Sequence, residues 1–203
     1  MDLELVLNEW EEALSDDVRR LVIRGTDLSA PGAANFRLAY LAVKLLLRRI
    51  QLDLDKATSQ GKEDCVSQYY MQAQRAADEI VHLVQELRAP HLRGFWVPVI
   101  AFSFTSATTF LLRCALRLKN SRQSAPLTTA KDMIRTLRTY RQNFSWDLAD
   151  NCLATCGDIV EKIEAENLDS STGFPDFEAF MDMDMSVLDD FFTGFGNPFE
   201  MEI

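Results

Sequence analysis

Histidine, glycine and proline are scarce in this 203-residue chain, which holds two His, eight Gly and six Pro. So little Gly and Pro excludes collagen-like and Gly/Pro-rich repetitive material. With only His82 and His91, and with no Gly-rich phosphate loop, nucleophile elbow or HExxH stretch, the common kinase, hydrolase and zincin templates have no counterpart, and an enzyme is not expected. Four cysteines, at positions 65, 114, 152 and 156, sit in apolar helical patterns rather than in a dense secreted framework, which fits a reducing intracellular compartment. The opening Met-Asp-Leu-Glu-Leu places an acid where a secretory signal has its basic flank, so nothing there directs export. Period-2 alternation is missing, and no repeat of 20 to 50 residues is visible.

Basic residues are missing from one region in particular. Residues 170–203 contain eight acids and no Lys or Arg. Because the whole chain sets 31 acids against 21 bases for a net −10, the first 169 residues stand at only −2. The acidity therefore belongs to the C-terminal segment, and the overall charge argues against a generic nucleic-acid coat. With 47% hydrophobic residues in the chain, the body can bury a sizeable core.

What is present is helical spacing almost everywhere, which predicts an all-α, multi-helix body over 1–168 followed by a disordered acidic tail over 169–203. Leu3, Leu7, Trp10 and Leu14 predict a first amphipathic helix; Ser15 can cap a short second one running to Ile23, and Gly25 to Gly32 reads as a loop. Phe36, Tyr40, Val43, Leu47, Ile50 and Leu54 form one stripe, which Leu41, Leu45 and Leu46 widen, so this helix is expected to be central. Val66, Tyr69, Ala73, Ala76, Ile80, Val84 and Leu87 mark another helix, ended by Pro90. Residues 95–118 form the most hydrophobic helix, with Pro98 in its first turn. A helix over 128–142 turns Met133, Ile134, Leu137 and Tyr140 inward and Lys131, Arg135, Arg138 and Arg141 outward. Ser145 is expected to cap a last helix that uses Trp146, Ala149, Cys152, Cys156, Ile159, Val160 and Ile163.

Four constellations invite a functional reading. Gly94 to Leu112 is nineteen residues without a charge, long enough to cross a bilayer; its five hydroxyl side chains and the lack of a second such segment favour a buried core helix. Cys152 and Cys156 lie one turn apart, but zinc takes about four ligands and only the two histidines could join them. Core packing of both thiols is expected, with no metal and no cofactor. The pairs Asp147 with Asp150 and Asp158 with Glu161 read as solvated faces. The basic stripe on 131–141, and a second cluster of Arg113, Arg117, Lys119 and Arg122, could meet phosphate, yet on a body near neutrality they read as a solvated face or as a hold for the acidic arm.

The sharpest compositional signal is the tail. Seven of the thirteen Phe and four of the seven Met fall among its acids. Acidic-hydrophobic alternation is the composition of disordered activation domains, in which charge keeps the aromatics in water until a coactivator groove accepts them as a short induced helix. Leu188, Phe191 and Phe192 fall on one helical side and are the expected anchors, Phe177 and Phe180 an upstream contact, and Asp189 and Asp190 the charges that keep the arm extended and steer it. The alternative is an arm that docks on its own domain.

The order of segments resembles a known family. The Trp-containing helix of Leu5 to Leu21 with Leu-Ser-Asp-Asp-Val-Arg-Arg-Leu, the run Phe36-Arg-Leu-Ala-Tyr-Leu-Ala-Val-Lys-Leu-Leu-Leu-Arg-Arg, the pair His91-Leu-Arg-Gly-Phe-Trp-Val-Pro-Val-Ile-Ala-Phe and Thr105-Ser-Ala-Thr-Thr-Phe-Leu-Leu-Arg-Cys-Ala-Leu-Arg, and Ser145-Trp-Asp-Leu-Ala-Asp-Asn-Cys-Leu resemble the C-terminal half of the helical regulatory region of fungal binuclear zinc-cluster transcription factors. The resemblance covers about residues 3–165 and rests on packing motifs. It implies a nuclear transcription regulator whose acidic C-terminal segment activates through coactivator machinery, with homodimers or heterodimers with related factors open. The six-cysteine cluster with which that family reads DNA is missing here, so direct DNA binding by this chain alone is not expected, and a fragment or truncated form is. Alternatives are a membrane-associated helical protein using residues 94–112 and an adaptor or inhibitor that pairs with full-length relatives.

Overall fold

The computed structural model describes residues 3–58, 68–117 and 124–166, and these are all-α with no strand among them. The helices are α1 (Leu3–Ala13), α2 (Asp16–Val22), α3 (Ala33–Thr58), α4 (Gln68–Glu86), α5 (Ala89–Leu92), α6 (Ala101–Arg117), α7 (Ala125–Phe144) and α8 (Asp150–Glu166). The chain divides into two units, Met1–Lys162 and Ile163–Ile203; the second is described only through the last residues of α8, so the tail boundary expected at 168 lies outside the described residues.

The element at the centre is α4 rather than α3, since α4 packs against α3, α6 and α7. Its sequence explains the position. Ala73, Ala76 and Ala77 are fully buried beside Ile80, Val81, Leu83 and Val84, and small residues let neighbouring helices approach closely without giving up the apolar area supplied by the larger ones. Against this helix α3 lays Leu38, Leu41 and Leu45, all buried. The other apolar residues of α3 do something the periodicity did not predict: Phe36, Val43, Ile50 and Leu54, expected in the core stripe, are exposed, while Tyr40 and Leu47 are buried. An α3 that is apolar on two opposite sides can give only one of them to α4.

A second focus is aromatic. Trp146 sits edge-on to Trp96 at 5.3 Å between ring centroids, tilted on Phe104 at 5.5 Å and edge-on to Tyr140 at 5.8 Å. This geometry suits ring quadrupoles and ties α6, α7 and the α8 entry together. The Tyr140 hydroxyl shares its one proton between the carbonyls of Val84 at 2.9 Å and Leu87 at 3.0 Å, so it adds a donor at the C-terminal end of α4, where carbonyls lack intrahelical partners.

Several boundaries differ from the sequence reading. Ser145 is no N-cap: it ends α7 in the left-handed region, at φ 53° and ψ 37°, and a single 3-10 turn over Asp147–Ala149 leads into α8. Pro98 opens another 3-10 turn ahead of α6, and Pro90 stands in the first turn of α5 after α4 has ended at Glu86, where its missing N–H costs nothing. Ser15 has the extended backbone of an N-cap without a side-chain cap bond. The open carbonyls before it are met by Arg19, which donates to Glu11, Glu12 and Leu14.

Candidate functional site

Among the described residues lies a broad cleft, about 1140 Å³ in volume, between the loop that follows α2, the end of α4, α5 and residues 94–97. Two local devices shape it. Gly25 adopts φ +68° with the Arg37 guanidinium only 2.6 Å from where a Cβ would stand, and that guanidinium donates to the carbonyls of Val22 at 2.6 Å and Ile23 at 2.9 Å, so glycine is required for the loop to close over Arg37. Asn35, in the first turn of α3, donates to the Phe95 carbonyl at 2.7 Å and accepts from the Val97 N–H at 2.9 Å, holding residues 95–97 as a neighbouring strand would.

Pinned in this way, Phe95 is 82% exposed at the cleft rim, while Trp96 turns inward and donates from its indole to the His91 carbonyl at 2.9 Å. His91 Nδ1 accepts the Arg88 N–H at 3.0 Å, which places the proton of a neutral ring on Nε2. The cleft thus offers an apolar wall, a projecting aromatic and backbone groups already in use. Such a surface can bind an apolar side chain or peptide; no nucleophile with an oriented base converges on it among the described residues. Sequence reasoning did not find this cleft, because residues 25–35 and 94–97 meet only through the fold; the one local signal was a pair of aromatics between Pro90 and Pro98.

The tail residues Phe177, Phe180, Leu188, Asp189, Asp190, Phe191 and Phe192 lie outside the described residues. Of the other constellations, the cysteine pair is packed as expected. Cys152 and Cys156 are fully buried, in contact with Thr108 Oγ1 at 3.5 Å and Thr109 Oγ1 at 3.6 Å respectively. The hydrogen bond with Cys156, together with burial, pushes the Cys152 thiol well above its ordinary range, so it is a protonated group packed in the core. Among the described residues no three His, Cys, Asp or Glu side chains gather where a metal ion could be held.

The basic stripe of α7 is engaged in ion pairs. Arg135 pairs with Asp132, Arg138 with Glu161 and Arg141 with Asp150 at 2.6 Å, so the acids read as solvated faces on α8 serve partly to link it to α7. Side chains of the second basic cluster beyond Arg113 lie outside the described residues. The uncharged segment is a core helix in the fold: Pro98–Ala115 has the length and composition to cross a membrane, and 67% of it is buried inside the protein.

Compared with protein-family models, with characterised proteins and with solved structures, the chain matches none.

Proposed function

We propose that this chain is a nuclear transcription regulator of the fungal zinc-cluster type, with residues 170–203 recruiting coactivator machinery and the helical body serving as a protein-contact module. The observation that carries the reading is the composition break: a near-neutral helical body is followed by 34 residues with seven Phe, four Met, eight acids and no base. Support also comes from the order in which five segments of the body resemble the regulatory region of that family.

The physical division of labour follows from magnitudes. Burying one Phe or Leu contributes about 1.5–3 kcal/mol, whereas an exposed charge pair contributes about 0–1 kcal/mol and is screened by salt. Leu188, Phe191 and Phe192 are therefore the affinity anchors, and Asp189 and Asp190 the solubilising and steering charges. The test is a reporter driven by the whole chain fused to an unrelated DNA-binding domain. Replacing the three anchors by Ala should abolish activity, and replacing Asp189 alone should only reduce it. An inert fusion, or one indifferent to loss of all three anchors, rejects the activation reading.

A further inference from the structure

The exposed side of α3 is too regular to be incidental. Outward positions 36, 39, 43, 46, 50 and 54 follow one another at three- and four-residue steps, and Phe36 (43% exposed), Val43 (53%), Leu46 (37%) and Ile50 (39%) are large apolar side chains on that single face. At 3.6 residues per turn these positions stay within a strip roughly 80° wide over about 27 Å of helix, the pattern of a coiled-coil seam. It lies opposite the side packed on α4.

Helix α1 lies antiparallel along this face. Glu4 pairs with Arg48 at 2.7 Å and Glu11 accepts the Tyr40 hydroxyl at 2.8 Å, while Trp10 packs edge-on to Phe36 and stacks on Tyr40. Leu3 and Val6 fall on the Trp10 side of α1, and all three are exposed. With a large apolar side chain presenting about 150–250 Å² when fully exposed, these exposures leave on the order of 700 Å² uncovered. A specific interface takes about 800 Å² from each partner.

We infer that this α1–α3 face binds a second copy of the same chain, with the two α3 helices antiparallel about a twofold axis passing between Val43 and Leu46. The central part of the stripe is complementary to its own reversal. In that register small Ala39 meets large Ile50 and Val43 meets Leu46, so large and small side chains alternate at the centre of the seam as close packing requires, while at its two ends Phe36 stands across from Asp53, with Leu54 beside it. The bases of α3 do not oppose the pairing. Arg49 turns inward and donates to Ser106 Oγ at 2.7 Å, Lys44 pairs with Glu79 at 3.1 Å, and Arg48 is held by Glu4, so these bases of α3 are engaged within each copy and form no repelling row. The product is a four-helix layer built from α1 and α3 of both copies. It stands independently of the activation reading, since it uses none of residues 170–203.

Sedimentation equilibrium on the full chain tests it. The wild type should be dimeric at about 50 µM and dissociate on dilution. Val43→Glu and Leu46→Lys each bury two unpaired charges in the homodimer and should each raise the dissociation constant at least about a hundredfold, with helicity by circular dichroism unchanged because both positions are exposed. Mixed in equal amounts, the two variants should recombine: in the heterodimer one seam pair sets the introduced glutamate against the introduced lysine, and the other stays Val43 against Leu46. A wild type that is monomeric at that concentration, a dimer indifferent to both substitutions, or variants that fail to recombine would each overturn the proposal; the first outcome would also leave the face to a different partner.

Discussion

Helices α1 and α4 are both amphipathic by sequence, yet α4 buries seven side chains while α1 buries none. Their difference lies in what surrounds them. Helix α4 packs against α3, α6 and α7 and carries three fully buried alanines, whereas α1 touches α3 along one edge, through Glu4, Glu11 and Trp10. An amphipathic pattern states that a face gains by leaving water; it does not state which surface will cover it.

Core truncation on each helix should bring out that contrast most strongly. Ile80→Ala on α4 removes a fully buried side chain and should cost about 2–5 kcal/mol in urea unfolding, because the transfer term and the cavity term add. Leu3→Ala on α1, half exposed, should cost well under about 1 kcal/mol in dilute, monomeric protein. Similar losses at the two positions would mean that α1 is as integral to the fold as α4.

How far the fold could be read from the sequence follows the same division. Where a helix has one apolar side, periodicity sufficed: Met133, Ile134, Leu137 and Tyr140 of α7 are buried as read, and so are Cys152 and Cys156 of α8. Where a helix has two, as α3 does, spacing could not say which side packs on α4, and Phe36, Val43 and Ile50, which face out, read as inward. Ser145 reads as an N-cap because serine favours that role and rarely takes the left-handed conformation that usually falls to glycine; here the chain direction that brings Trp146 against Trp96 and Tyr140 overrides the local preference. The cleft was illegible because its walls are some sixty residues apart in the chain and are joined by one amide, Asn35.

A smaller effect is expected at the end of α4. Tyr140→Phe keeps the ring against Trp146 but removes the donor to Val84 and Leu87. Loss of a buried hydrogen bond with its acceptors left in place costs about 1–3 kcal/mol. Hydrogen exchange should place the loss in the last turn of α4, with α1 unchanged; equal deprotection of both helices would mean that the hydroxyl supports the whole fold rather than this one terminus.

The smallest effect concerns a carboxylate that α4 carries into its packing. Burial raises the Asp78 pKa above the ordinary carboxylate range, against the lowering influence of His82 one turn away and of a hydrogen bond from Thr129 on α7. Its Oδ1 has no hydrogen-bond partner among the described residues. A group whose pKa is higher folded than unfolded favours folding in its protonated form; that contribution is complete below the unfolded pKa and is lost as pH rises through the folded one. Above its folded pKa the native chain therefore carries an ionised Asp78 at a cost, and Asp78→Asn, which keeps the shape without the charge, should there raise the melting temperature slightly. Lowering the pH through the folded pKa should narrow the gap between variant and wild type, as the wild type takes up the proton that the amide makes unnecessary. If the variant is instead less stable above that pKa, the bond from Thr129 and the attraction to His82 outweigh burial, and Asp78 joins Glu79 as an acid that holds α4 to its neighbours.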